Sequence, residues 1–215
     1  MKKTLLITLV AISLLLFSAF TAQAQIQQEE IDVYGGLFYT SLADDGLDDL
    51  NEEEDIDLTS SMGFKVGAKA PLSPKMDVGL EYARFSPSDD IPEVEGTATI
   101  NVNAIRGVFT YNITQDENLP TIKLKGTPGY YFGELEYEID NYEDPEPVDF
   151  DGNFGLTFGV EASDDVANNV EVFSDASYRI LDLDIEDSND NDVEDSNNDL
   201  DANGFEVGAG VAVSF

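Results

Sequence analysis

The sequence contains no cysteine, histidine or tryptophan, and it has few basic residues. Its 215 residues include ten Lys and Arg against forty-five Asp and Glu, for a formal net charge of -35. Without Cys or His, a disulfide framework, a thiolate nucleophile and an imidazole base are all excluded. Zinc, haem and iron–sulfur centres lose their usual ligands. The charge also argues against a nucleic-acid partner, because affinity for phosphate comes mainly from Lys and Arg.

These absences leave little room for catalysis. Glu134 and Glu136 lie on one face of a predicted strand and could transfer protons as a pair. Acidic residues are so common here, however, that such pairs arise by chance. We therefore expect no enzymatic activity, no catalytic residue and no resident cofactor. Oxygen-ligated calcium or magnesium remains compatible with the composition.

The first 24 residues have the pattern of a secretory signal peptide. Lys2 and Lys3 give a positive start, residues 5–17 form an almost unbroken apolar run, and residues 22–24 read Ala-Gln-Ala, which suits signal peptidase. The run is short for a membrane-spanning helix. We expect Sec export, cleavage, and one mature domain over 25–215.

The mature chain is dominated by alternation of apolar with small or polar residues. In residues 205–215 the odd-numbered positions are Phe, Val, Ala, Val, Val and Phe, and the even-numbered ones are Glu, Gly, Gly, Ala and Ser. This period of two is typical of a strand with one apolar face. It predicts eight strands, at 31–40, 61–71, 75–85, 97–113, 120–139, 150–162, 169–185 and 204–215.

Two of these strands change phase along their length. Over 97–113 the apolar residues are even-numbered up to position 104 and largely odd-numbered from 105, and over 120–139 the change falls at Pro128-Gly129. A slip of one residue is the mark of a β-bulge. We expect one bulge in each strand.

The connections alternate strictly between long and short. The long ones are acidic and span 41–60, 86–96, 140–149 and 186–203, whereas the short ones span 72–74, 114–119 and 163–168. A barrel that crosses an outer membrane has short periplasmic turns at one end and longer external loops at the other. The alternation favours such a barrel.

On these features the chain resembles the small outer-membrane β-barrels grouped with the OmpA barrel domain and OmpX. The resemblance implies an all-β, eight-stranded antiparallel up-and-down transmembrane barrel, porin-like in architecture. It implies a monomer surrounded by outer-membrane lipid in a Gram-negative-type bacterium. It also implies that the barrel insertion machinery reads the last strand, through Val211, Val213 and Phe215. Tyrosines near strand ends fit an interfacial girdle, and they are Tyr39, Tyr82, Tyr111, Tyr137 and Tyr178.

A secreted soluble β-barrel or sandwich is the alternative. Its strands would show the same alternation, because a period of two does not reveal whether the apolar face meets lipid or a core.

If the apolar faces point outward, the scarce basic residues point inward. The predicted lumen cations are Lys65, Lys69, Arg106, Lys123, Lys125 and Arg179. The predicted lumen carboxylates are Asp32, Asp77, Glu81, Glu134, Glu136, Asp151, Glu161, Glu171, Asp175 and Glu206. Eight strands enclose just enough space for side chains, so we expect ion pairs that plug the lumen. A proton or ion path is the alternative.

The long loops carry most of the acid. Two interpretations stay open, a solvated surface adapted to high salt and a surface that binds calcium or magnesium. Asp199, Asp201 and Asn203 match the start of an EF-hand loop, but Gly210 stands where that motif requires a bidentate Glu. They are weak metal candidates.

The sequence therefore favours an envelope-structural protein that presents acidic loops at the cell surface. One alternative is a binding module whose loops capture divalent cations, a glycolipid or a partner protein. Another is a narrow channel for small solutes.

Overall fold

A computed structural model describes residues 31–41, 60–91, 96–114, 119–139, 148–185 and 199–215. The predicted signal peptide, 1–24, and most of the four long loops lie outside these residues. The strands are β1 Asp32–Ser41, β2 Ser60–Ser73, β3 Met76–Phe85, β4 Ser88–Ile91, β5 Gly96–Asn112, β6 Thr121–Ile139, β7 Val148–Ala167, β8 Val170–Ile180, β9 Asp182–Ile185, β10 Asp199–Asp201 and β11 Gly204–Ser214. No helix long and apolar enough to cross a bilayer occurs within these ranges.

Eight of the strands form a closed antiparallel barrel. The order is β1, β2, β3, β5, β6, β7, β8 and β11, each paired with the next. Pairing of β11 with β1, for example Gly210 with Gly36, closes the ring. The predicted eight-stranded up-and-down barrel is confirmed.

Three short strands prolong the sheet at the long-loop end. β4 pairs with β5, whereas β9 pairs with both β7 and β10. The predicted strand 169–185 is thus interrupted at Leu181, between β8 and β9. β5, β6 and β7 contain 17, 19 and 20 residues, more than the roughly 9–11 that a membrane-crossing strand needs. Part of each extends beyond the bilayer.

The apolar faces of the strands point outward. Phe205 and Val207 are 64% and 57% exposed, whereas Glu206 between them is 4% exposed. The same holds for Phe64 in β2 and Phe158 in β7, which are 41% and 50% exposed. A soluble barrel would bury these side chains, so the soluble alternative is wrong. The apolar surface is the one that meets lipid.

The bulge predicted in 97–113 is absent. β5 pairs with β3 in one unbroken register, and its even-numbered residues from Ala98 to Thr110 are all buried. Ile100 and Val102 point inward, as does Arg106 further along the strand. The apparent phase change marks a transition from an apolar to a charged interior, and the strand does not slip.

The bulge predicted in 120–139 is also absent, because β6 pairs with β5 in one unbroken register from Lys123 to Ile139. The irregularity lies in the other neighbour, β7, where residues 151 and 152 stand against Phe132 alone. The register of β6 with β7 shifts between Tyr131 and Gly133, while Pro128 keeps its register opposite Leu156. Leu135 packs against the interior cluster. The intervening positions of β6, Glu134 and Glu136, therefore belong to the outer face.

Candidate functional site

The interior of the barrel is the candidate functional site, and its half nearer the short turns is charged. Alternation places one inward residue at every second position of each strand, and glycines on neighbouring strands provide the space. A Cβ atom on Gly67 would lie 2.6 Å from the ring of Tyr34. The structure brings together six cations, Lys65, Lys69, Arg106, Lys123, Lys125 and Arg179, with five carboxylates, Glu81, Glu161, Glu171, Asp175 and Glu206.

Arg106 and Lys65 make the shortest contacts in this network. Arg106 bridges two carboxylates, at 2.6 Å from Glu81 and 3.0 Å from Glu206. Lys65 lies 2.5 Å from Asp175. All of these side chains are nearly inaccessible to water. Since an unpaired buried charge costs several kcal/mol, each pair depends on both partners.

Lys125 links the centre of the network. Its Nζ lies 3.4 Å from Asp175 and 3.8 Å from both Glu81 and Glu161. Glu161 and Asp175 stand directly opposite each other on β7 and β8. Like charges in that position repel, and the shared cation offsets the repulsion.

The network continues toward the short-turn end. Lys69 and Lys123 both contact Glu161, at 3.3 and 3.5 Å, and both approach Glu171. The side chain of Glu171 is 21% exposed. Water therefore reaches the network from this end of the barrel.

Several carboxylates that were predicted to join the lumen ion pairs have other partners or positions in the structure. Asp32 accepts a 2.6 Å hydrogen bond from Ser214, and Asp77 accepts one of 2.7 Å from Thr110. The prediction for Glu134 and Glu136 is wrong, because the β6 register directs them outward. Glu136 accepts a 3.0 Å bond from Asn101 on that outer face. The side chain of Asp151 lies outside the described part of the structure.

The half of the interior nearer the long loops is apolar, which the sequence reasoning missed. Its buried cluster comprises Phe38, Ala83, Phe85, Ala98, Ile100, Val102, Ala104, Tyr131, Leu181 and Ala202. The apolar residues at the even-numbered positions from Ala98 to Ala104 are the feature of the sequence that indicates this apolar half. Periodicity alone assigns that run to a lipid-facing segment before a bulge, and the observed register reverses the assignment.

Arg179 lies where the charged and apolar parts meet, and it is fully buried. Its guanidinium donates to Glu206 at 2.8 Å, to Thr40 at 3.1 Å and to the Ala202 carbonyl at 2.8 Å. It also lies over the Phe85 ring, 4.6 Å from its centroid. Residues from β1, β8 and β11 are thereby tied together beneath the first and last long loops.

The charged layer leaves almost no free volume. The cavity lined by Arg106, Lys125, Asp175 and Glu206, among others, measures about 10 Å³. That is the space of about one water molecule. A solute larger than water does not fit in this cavity.

The weak metal candidates do not form an EF-hand loop. Asp199–Asp201 is strand β10, paired with β9. The Asn203 Oδ1 atom accepts a 2.7 Å bond from the Leu181 N–H. The side chains of Asp199 and Asp201 are not described, and within the described ranges no three acidic side chains form a group that could hold a metal ion.

The residues predicted to carry the insertion signal lie on the outer face. Val211 is 45% and Phe215 76% exposed, and Val213 is partly exposed. Phe215 exchanges two backbone hydrogen bonds with Ile31, of 3.1 and 3.2 Å. The last residue thus helps to close the barrel.

Aromatic side chains gather on the outer face toward the long loops. Tyr82 contacts Phe64, and Tyr178 contacts Phe205, with ring centroids 6.0 and 5.0 Å apart. Of the other predicted girdle residues, Tyr39 and, at the short-turn end, Tyr111 are exposed on the outer face, and the Tyr137 side chain is not described. Such belts mark membrane–water interfaces.

A closed eight-stranded barrel with an apolar outside and a charged interior defines the class of small outer-membrane barrels. The model of the outer membrane protein beta-barrel domain matches residues 12–212. The chain belongs to this family, and its location is the outer membrane.

Solved structures show the same fold at low sequence identity. OprG from Pseudomonas aeruginosa is 12% identical, with a TM-score of 0.57 over 87% of this chain and 96% of that one. Ail from Yersinia pestis, in complex with the heparin analogue sucrose octasulfate, is 14% identical, with a TM-score of 0.53 over 87% and 99%. A major outer membrane protein from Thermus thermophilus is 13% identical, with a TM-score of 0.53 over 86% and 99%. Comparison with curated proteins finds no match.

Proposed function

We propose that this protein is a non-enzymatic, monomeric structural barrel that holds its acidic loops at the cell surface. The observation that carries the proposal is the filled interior, in which a charged network lies below an apolar cluster. A barrel packed in this way is a rigid support for loops. In planar bilayers the purified protein should produce no conductance steps, and regular steps would instead support the small-solute channel.

The orientation is part of the proposal. Long external loops opposite short periplasmic turns are the usual arrangement of such barrels, so residues 42–59 and 186–198 are assigned to the cell exterior. Single cysteines replacing Glu53 and Asp192 should react with a membrane-impermeant thiol reagent on intact cells, and one replacing Asp165 should not. The chain has no native cysteine to interfere. Labelling at Asp165 alone would reverse the orientation.

The loops themselves have two candidate roles. In the first they form a hydrated acidic surface suited to high salt, where counterions screen repulsion. In the second they capture calcium or magnesium. The β-sheet register favours the second, because it sets Asp182 opposite Asp201 and Asp184 opposite both Asp151 and Asp199. Like charges directly opposite destabilise a sheet, and a divalent cation would relieve that repulsion.

The contacts of the last strand support assembly by the barrel insertion machinery, which would recognise Val211, Val213 and Phe215. These side chains are on the outer face and at the end of the closing strand.

A further inference from the structure

The outer surface of the barrel has very few positive charges. Six of the eight basic residues that follow the predicted signal peptide are buried in the interior. The other two are exposed at opposite ends, with Lys75 in the turn between β2 and β3 and Arg84 near the long-loop end of β3. Arg84 is therefore the single cation that the outer face offers near the long loops.

Arg84 is held by a polar cluster on that outer face. Its Nη2 donates to the Asn101 Oδ1 atom at 3.1 Å, and Ser86 donates to the same atom at 2.8 Å. Asn101 in turn donates to Glu136 at 3.0 Å and is only 6% exposed. A guanidinium has five N–H donors, and the contact with Asn101 uses one of them. Asn101 thus fixes the arginine and leaves its exposed edge for a ligand.

The position of Arg84 along the barrel matches that of a lipid headgroup. It stands opposite Phe64 on β2 and Asn103 on β5. Tyr82, two residues nearer the bilayer on the same face, contacts Phe64 and donates to Asn103 at 2.6 Å. Aromatic residues mark the interface, so the next outward position, Arg84, lies at the level of the headgroups.

We propose that Arg84, oriented by Asn101, binds the phosphate of an outer-leaflet glycolipid. Arginine suits this task because its planar fork makes paired hydrogen bonds to phosphate. Asn103 is the neighbouring amide that would donate to the same headgroup, and the Phe64–Tyr82 pair would contact the lipid below it. Glu136 opposes the interaction, since its carboxylate lies on the far side of Asn101.

The placement of this site in the outer leaflet rests on the orientation given under the proposed function. The binding test in micelles does not depend on that orientation. The refolded barrel, in detergent micelles, would be mixed with a diphosphorylated hexa-acyl disaccharide lipid, and lipid retention would be followed by native mass spectrometry. R84Q should lower retention at least fivefold, whereas K75Q, the matched change at the other end, should leave it unchanged. E136Q should raise retention about twofold.

Two comparisons make the ligand chemistry specific. The dephosphorylated form of the same lipid should be retained equally by the wild type and R84Q, and millimolar inorganic phosphate should not displace the intact lipid. Equal loss from R84Q and K75Q, or no loss from either, would overturn the site. An unfolded R84Q chain would be recognised by its unchanged gel mobility on heating, and N103A would then take its place, with a loss of at least twofold expected. Reversed cysteine labelling on cells, with R84Q still defective in micelles, would refute the orientation and keep the phosphate site.

Discussion

Arg179 and Glu206 form a 2.8 Å ion pair at the boundary between the charged and apolar parts of the interior. Arg179 is fully buried, and Glu206 is shared with Arg106. Removing one partner of such a pair leaves the other with less opposite charge around it, in a place that water does not reach.

Arg179→Met should therefore destabilise the barrel by about 3–5 kcal/mol. The substitution keeps an unbranched side chain over Phe85 while it removes the donors to Glu206, Thr40 and Ala202. Urea unfolding in micelles, read by the difference in mobility between heated and unheated samples, would measure the loss. The exposed Lys75→Met is the matched control, and an equal midpoint for both variants would contradict the assigned role.

Two glycines provide a test of interior packing. Gly67 faces inward, where an added Cβ would meet Tyr34 and the Leu80 carbonyl at 2.6 Å, whereas a Cβ on Gly126 would meet nothing within 4 Å. Gly67→Ala should lower the free energy of unfolding by about 1–3 kcal/mol, because the added methyl group overpacks the interior. Gly126→Ala should leave the free energy of unfolding unchanged or raise it by up to about 1 kcal/mol, because alanine restricts the unfolded chain. The same unfolding assay applies, and equal effects would show that the interior is looser than described.

Sequence periodicity was sufficient for the fold, because lipid outside and charge inside give each strand opposite faces. Lys65 and Arg106 could be assigned to the lumen for that reason. Periodicity gave the wrong orientation where the inward face of a strand became apolar and its outward face became charged at the same point. Ile100 and Val102 are apolar and inward, while Glu134 is charged and outward, since that part of the wall extends beyond the bilayer. Sequence alone does not distinguish such a change of character from a phase slip. The unbroken registers of β5 with β3 and of β6 with β5 do so.

Deleting Phe215 should reduce assembly into the membrane. The residue exposes its ring on the outer face and pairs its backbone with Ile31, so its loss weakens both the proposed recognition signal and closure of the barrel. Cell fractionation should show the chain accumulating in the periplasm. Phe215→Tyr, which keeps the backbone bonds and an aromatic ring, should assemble normally. Full assembly of the deleted chain would count against a role for this residue in insertion.

Salt and calcium should separate the two candidate roles of the acidic loops. At physiological ionic strength the Debye length is about 8 Å, and at about 1 M it falls to about 3 Å. If the loops are simply a hydrated acidic surface, high sodium chloride should screen repulsion and slow proteolysis within 42–59 and 186–198. The strand content should hardly change, because the interior pairs are enclosed.

Specific cation capture gives a different result in the same experiment. Millimolar calcium, at constant ionic strength, should then protect 186–198 while sodium has no effect, since the cation would be held near the paired positions of β9 and β10. Asp184→Asn with Asp201→Asn should abolish that protection, whereas the same change at Asp164 and Asp165, exposed near the short turn, should preserve it. Loops cleaved at one rate under every condition would refute both roles, because neither screened repulsion nor a bound cation would then be restraining them.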